Sequence, residues 1–516
     1  MTGRRLLRSA APFFAAAIVS GHVGTDDVFF AGRAGPYDVR ISVRQPGVIP
    51  GLADVSVRVE NDGVKHVLAT ALRRVANFGT APPPDTATLV AGESKLYAAQ
   101  LWLMTRGAHS VIVTIDGDAG RGEVTVPVMA RATRRIAMTR ELGMLLAGGG
   151  LFLVVGLLTI FGAAARESVL GPDAEMAAAD RRRGRWAVAV AGIVVGLLLF
   201  GGWRWIGSEA RAYRARIDRP WGVKATVRGT ERGRDLELTI TEPLWVMRND
   251  SAWLVQNNRY RRADLIADHG KTMHMFIVRD DDLSAFAHVH PARDGDNSFR
   301  VAFPPLPAGK YRVYADIAHE DGSSQTLVAA VDAPATAATA PAGDVQATRA
   351  TPLGPRPRLG TGADPDDAWW MGTTGGPVSR LSDGSLVRWA NANTPLLAGR
   401  DAELVFHVAD SLGAPAGIEP YMGMRGHAML NRADGQVFVH LHPAGTISVA
   451  AQQALAAAQG ASVTHTGMAG MAMADAARPG EVRFPFVAPN AGRYRVWVQV
   501  KVAGEVRTAA FDTEVR

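Results

Sequence analysis

The sequence contains no cysteine. Disulfides, thiolate zinc sites and thiol catalysis are therefore excluded, and any soft-metal site must be built from His and Met. Lysine is scarce, with six residues among a total of 56 Lys and Arg. The formal charge of +7 is thus carried by arginines scattered among acids, not by a clustered basic face. No nucleic-acid partner is expected from that distribution. Charge is also missing from the two longest apolar runs, and intramembrane ionisable groups are the usual mark of a transport pathway. A transporter built from these two runs alone is not expected. Patterns of the G-x-S-x-G, Walker and G-x-G-x-x-G kinds do not occur in a context that would give them meaning.

A chain of 516 residues predicts about three domains. It starts with Arg4, Arg5 and Arg8, then an apolar stretch from Ala10 to Val19 and the small pair Ser20-Gly21. This is the pattern of a secretory signal, with an uncleaved anchor as the alternative. Leu142 to Ala165 is free of charge for 24 residues, and Trp186 to Trp203 for 18. Both are long enough for ~30 Å of hydrocarbon. Trp186, Trp203 and Trp205 stand where interfacial aromatics belong. Arginines flank both sides of the pair, so orientation follows from the signal: residues 22–140 and 207–516 are expected outside the cytoplasm. Gly192-Ile-Val-Val-Gly196 matches G-x-x-x-G, although a Gly- and Ala-rich span produces that match by composition alone.

The exported parts alternate polar and apolar residues in short runs such as YDVRISVR, ADVSVRVEN and HSVIVTIDG, each bounded by Gly, Pro, Asn or Asp. That is the signature of antiparallel strands in a small sandwich. Residues 332–364 are rich in Ala, Pro, Thr and Gly and read as a linker. The segments on either side of it repeat each other. KTMHMFIVRDDDLSAFAHVHP lies over RGHAMLNRADGQVFVHLHP, and GKYRVYADIA over GRYRVWVQVK. A repeat of this length is the duplication of a whole domain.

Ten of the 13 histidines fall between residues 269 and 465. Side chains alternate along a strand, so His288 and His290 share a face, as do His440 and His442, with Cβ atoms roughly 6–7 Å apart at ~3.3 Å per residue. Each pair can reach one metal. A hairpin that brings His274 alongside completes a three-His set in the first repeat, and His427 does the same in the second. His319 is a candidate fourth ligand of the first set, because Val502 stands at the matching place in the second. Met422 and Met424 precede His427, and the insert HTGMAGMAMAD supplies His465, Met468, Met471 and Met473. Imidazole with thioether suits Cu(I) and Cu(II), and copper is favoured over zinc. Met273 and Met275 lie on the face opposite His274 and read as core filler. His269 and His407 fall outside the repeated pattern and are set aside.

Two other readings compete. An H-x-H pair also suggests a cupin-type site, which needs an acid shortly afterwards; PARDG follows His290 and PAGTIS follows His442, so a two-His-one-carboxylate iron site is poorly supported. The second rival is a structural module whose repeats dock a membrane-protein partner, with the histidines packing strand ends. Metal ligands must converge within about 2.0–2.1 Å of one atom, whereas packing histidines need not.

The two F-x-H-x-H-P units, with GRYRVWVQVKVAGEVRTAAFDTEV closing the chain, resemble bacterial exported proteins with YtkA-like or CopC-like immunoglobulin folds. The resemblance covers about 222–331 and 378–516. It implies a β-sandwich fold and copper or other heavy-metal handling outside the cytoplasm. The chain departs from the copper-carrier pattern in having no His directly after the signal unless cleavage falls just before His22.

Together these readings predict a mainly β protein of three immunoglobulin-like β-sandwich domains plus two transmembrane α-helices. The expected divisions are a signal peptide or anchor at 1–21, a sandwich at 22–140, helices at 141–165 and 186–206 around a cytoplasmic loop at 166–185, a first repeat at 207–331, a linker at 332–377 and a second repeat at 378–516. The expected protein sits in the inner (cytoplasmic) membrane with most of its chain in the periplasm. It is not an enzyme; it binds copper and meets the lipid bilayer and another periplasmic or membrane metal-handling protein.

Overall fold

The structure is a computed structural model that describes residues 22–23, 27–73, 82–171, 175–230, 233–257, 259, 261–335, 364–458 and 478–516. The expected signal at 1–21, most of the expected linker, and His465, Met468, Met471 and Met473 lie outside the described residues.

Three β-sandwiches are present, each made of a four-stranded and a larger sheet. In the first, the strand Gly51–Val59 buries Ala53, Val55, Val57 and Val59 and turns Asp54, Ser56 and Arg58 outward, the period of two expected of a half-covered sheet. The larger sheet of the second sandwich orders its strands Leu265–Ile266, Gly309–His319, His274–Arg279, Ala285–Val289 and Ala368–Met371, with Ser324–Ala333 also paired to Gly309–His319. The corresponding sheet of the third runs His22–Val23, Val437–Leu441, His427–Arg432, Gly492–Val502 and Glu505–Val515.

The registers of these two sheets repeat as the sequences do. His274 pairs with Asp316 and Phe276 with Tyr314; His427 pairs with Gln499 and Met429 with Trp497. The strands His274–Arg279 and Ala285–Val289 are buried on both faces, unlike Gly51–Val59 of the first sandwich. One face, with Met275 and Ile277, fills the core of its own sandwich. The other carries Phe276, Val278, Phe286 and Tyr314 into a cluster with Met429, Phe438, Trp497 and Ala510 of the third sandwich. Phe286 stacks on Trp497 at 4.6 Å and Tyr314 on Phe438 at 4.1 Å. These are one contact made twice, because Phe286 matches Phe438 and Tyr314 matches Trp497 in the repeat. Arg312 Nη1 donates to Asp434 O at 2.6 Å and Arg495 Nη1 to Leu283 O at 2.8 Å, again the same contact in both directions. The duplicated domains therefore meet through equivalent faces, as subunits do across a two-fold axis.

Part of the expected linker division is strand. Ala368–Met371, within the expected 332–377, is a strand that pairs with Ala285–Val289 and continues the first repeat's sheet. Its apolar Ala-Trp-Trp-Met run supplies Trp370 to the cluster between the sandwiches, which is why it docks. The first sandwich is joined to the third: Ala31 N donates to Ala444 O at 3.0 Å, Thr446 N to Phe29 O at 2.9 Å, and Phe29 enters the third sandwich's core. Arg58 Nε adds an ion pair with Asp401 at 2.7 Å.

A separate compact unit contains residues 47–49 and 131–219. Its helices Arg140–Glu167 and Ala178–Ala215 are both long and apolar enough to cross a membrane. No residue of the first is buried, and Leu145, Phe152 and Trp203 stand exposed, which suits a membrane span. The second starts at Ala178, so the latter part of the expected 166–185 loop is helical, with Asp180 accepting from Ala177 N at 3.1 Å. The helices approach at Gly162 and Gly184, where an added Cβ would come to 2.7 Å from Val188 and 3.0 Å from Gly162 O. Gly196 of the G-x-x-x-G faces open space.

Candidate metal centre

Each F-x-H-x-H-P unit sets its two imidazoles on the strand face that looks toward the other sandwich, and the neighbouring strand adds a third. His274, His288 and His290 offer nitrogens all within 4.8 Å of one another, and so do His427, His440 and His442. The two trios also adjoin each other. Ring centroids are 5.7 Å apart for His274 and His440 and 5.8 Å for His288 and His440, against 5.5 Å for His274 and His288 within one trio.

His269 joins them, with its ring 4.8 Å from His442 and 6.3 Å from His427. It lies outside the F-x-H-x-H-P units but inside the repeat. His269-Gly270 stands five residues before His274 as Met422-Gly423 stands five before His427, and both turns hold a non-glycine residue at positive φ (51° and 50°). A side chain held in that disfavoured region needs surroundings that over-determine it. The loop is fixed from the third sandwich, where Val449 N donates to Asp268 Oδ1 at 2.7 Å.

Hydrogen bonds behind the rings set which nitrogens face inward. His274 Nε2 donates to Asp268 O at 3.0 Å. The Gln499 amide donates to Thr508 Oγ1, so its oxygen is the acceptor for His288 Nδ1 at 2.9 Å. Asp367 Oδ1 takes His290 Nδ1 at 2.9 Å, and Asp316 Oδ2 takes His440 Nδ1 at 3.2 Å. With the outer nitrogens protonated, the inner ones carry lone pairs. His274 Nδ1 and His288 Nε2 thus face each other at 3.2 Å as two acceptors. The Nε2 atoms of His269, His290, His440 and His442, and both nitrogens of His427, are buried with no hydrogen-bond partner. Buried bare nitrogens at this density are costly without a shared cation, and a metal ion is the species they fit. A carboxylate behind a histidine is also how metal-bound imidazoles are oriented.

Burial holds the imidazoles neutral. It lowers His274 to about 4, helped by the neighbouring His440, and lowers His288, His290, His427 and His442 well below the ordinary value. Burial also pushes the Asp367 carboxyl up to about 8, with Asp364 adding to the effect. Asp364 and Asp367 form a third possible metal-holding group with His290. There, however, Lys271 Nζ already lies 2.6 Å from Asp364, which reads as an ion-pair network behind the trio.

Other expected ligands stand elsewhere. His319 faces the opposite side of its strand from Asp316, against Trp221 at 5.1 Å and Trp245 at 6.1 Å, with Nδ1 bonded to Ala263 O. It is three residues beyond Asp316, and an odd offset reverses the face; it is not a fourth ligand of the first trio. Met422 packs against Ala368, Tyr421 and Val506, and Met424 closes the Tyr421 turn through its backbone. Met273 and Met275 lie in the second sandwich's own core, as expected. His407 pairs with Glu481 at 3.1 Å on the other sheet. Sequence reasoning also missed Asp316, Asp367, Gln499 and Tyr421, whose hydroxyl lies 3.2 Å from His288 Nδ1; none of them sits in an F-x-H-x-H-P unit.

The first sandwich supports the second trio through the loop after His442. Gly445 has φ +112°, and an added Cβ would lie 1.8 Å from Phe29 O, while Gly445 N and O pair with the His442 backbone at 2.9 Å. Gly445→Ala is expected to destabilise the protein by about 2 kcal/mol through overpacking and backbone strain. It should also weaken metal binding at His442. A thermal melt and a metal titration that both match wild type would refute this dependence.

A family model described as a domain of unknown function, DUF8832, matches residues 233–335 and 380–516, the two repeats. No curated protein matches. Among solved structures the chain is similar to an engineered protein, at 24% identity over 16% of this chain and 17% of that one, TM-score 0.14. It is similar to an endo-fucoidan hydrolase of glycoside hydrolase family 107, at 9% identity over 92% and 43%, TM-score 0.15. It is also similar to Salmonella alpha-2-macroglobulin reacted with methylamine, at 9% identity over 97% and 24%, TM-score 0.19. The chain spans less than half the length of each of these three structures.

Proposed function

We propose that this protein is a membrane-tethered, non-enzymatic copper-binding protein of the periplasm, which holds copper in its histidine trios and buffers it or hands it to a membrane partner. One observation carries the reading: the inward-facing nitrogens of both trios are buried, bare and convergent. Imidazole donors in a chain without thiolates favour copper over Mg or Ca, and zinc is the nearest competitor. The two apolar helices supply the tether. The resemblance to YtkA-like and CopC-like exported domains points to the same metal class and compartment. A docking-module alternative would use other surfaces of the repeats, since their aromatic faces are packed on each other.

The test uses the full chain in detergent, because the first sandwich is bonded to the third. Cu(I), Cu(II) and Zn(II) are titrated while bound metal is followed by native mass spectrometry. The same is done for His288→Ala/His290→Ala and His440→Ala/His442→Ala. Wild type should take up copper stoichiometrically and each double variant should lose at least about tenfold in affinity, the lower end of the loss seen when a metal site is disturbed. A folded wild type that binds no copper would sink the proposal.

A further inference from the structure

We infer that the two trios form one dinuclear metal centre shared by both repeats, not two independent sites. The inference rests on the metal-binding reading above and adds the number of ions and their coupling. Six inward nitrogens need a cation: His274 Nδ1, the Nε2 atoms of His288, His290, His440 and His442, and one nitrogen of His427. A four-coordinate ion satisfies four of them and would leave two buried lone pairs unmet. Two ions, one for each trio, use all six.

The orienting groups are exchanged between repeats. Asp316 belongs to the first repeat and holds His440 of the second; Gln499, at the matching position of the second, holds His288 of the first. Neither trio is therefore complete within its own sandwich. Each trio also has one histidine backed by an aspartate, Asp367 on His290 and Asp316 on His440.

The experiment loads the full-length protein anaerobically with Cu(I). It combines native mass spectrometry with X-ray absorption at the copper edge. Two coppers per chain should appear together, with little one-copper species, and with a copper–copper scattering distance on the order of 4 Å. Gln499→Met, in the second repeat, should reduce loading to one copper while circular dichroism stays that of the wild type. One copper per wild-type chain, or two that fill independently with no copper–copper scattering, overturns the dinuclear centre and leaves copper binding standing. Absence of any copper overturns both. If Gln499→Met still loads two coppers together, the exchange of orienting groups is refuted.

Discussion

Trp497→Ala is expected to lower the stability of the paired sandwiches by about 3–5 kcal/mol, the usual cost of emptying a large aromatic site in a core. Trp497 is fully buried, and its ring stacks on Phe286 at 4.6 Å and 15°. Its indole nitrogen makes no hydrogen bond, so the loss is one of packing alone. The effect should extend to the metal centre. Trp497 and Gln499 lie on the same face of one strand, and Gln499 reaches across to His288. A cavity beneath that strand should loosen the contact, lowering copper affinity as well as the melting temperature. Tyr314→Ala removes the equivalent ring of the other repeat and should behave alike, with Asp316 and His440 in place of Gln499 and His288. Calorimetry and copper titration on the same samples check both consequences. A lower melting temperature with unchanged copper affinity would show that the trios do not depend on the domain pairing.

Acid should unfold the metal-free protein well before it unfolds an ordinary β-sandwich. The folded pKa of His274, about 4, lies below its ordinary 6.5 because burial disfavours the imidazolium. Between those values the unfolded chain holds a proton that the folded chain lacks, so stability falls as pH drops from 6.5 toward 4. At 1.36 kcal/mol per unit, His274 alone contributes a loss of about 3 kcal/mol. His269, His288, His290, His427 and His442 are displaced in the same direction. Asp367 works the other way. Its carboxyl is pushed up to about 8, so the folded state keeps a proton that the unfolded chain loses, and its contribution to stability falls as pH rises toward 8. One carboxyl against six histidines leaves a steep acid limb, and above pH 6.5 only a shallow decline. Melting temperature measured from pH 4 to 8 in chelator should therefore peak near neutrality. A flat profile below pH 6.5 would mean that the imidazoles are not buried together in solution.

Much of this was legible in the sequence because it depends on local periodicity. Alternation of two marks the strands, unbroken apolar length marks the two helices, and self-similarity marks the duplicated domain. The same alternation puts His288 with His290 and His440 with His442, and the hairpin between neighbouring strands adds His274 and His427. An odd offset, also readable in principle, removes His319. What sequence periodicity could not reach is the meeting of the two repeats. Burial on both faces of His274–Arg279 follows from a second sheet that the local pattern does not announce. The pairing turns two separate trios into adjoining ones, draws His269 to His442, and gives each trio an orienting group from the other repeat. It also assigns Asp367, from the expected linker division at 332–377, to His290. By itself the sequence determined the strands, the two long apolar helices and the two histidine trios, since these follow from side-chain direction and apolar length along one chain segment. Only the tertiary structure decided that the trios share one buried space, because that depends on which apolar face finds its complement, and two copies of the same face complement each other.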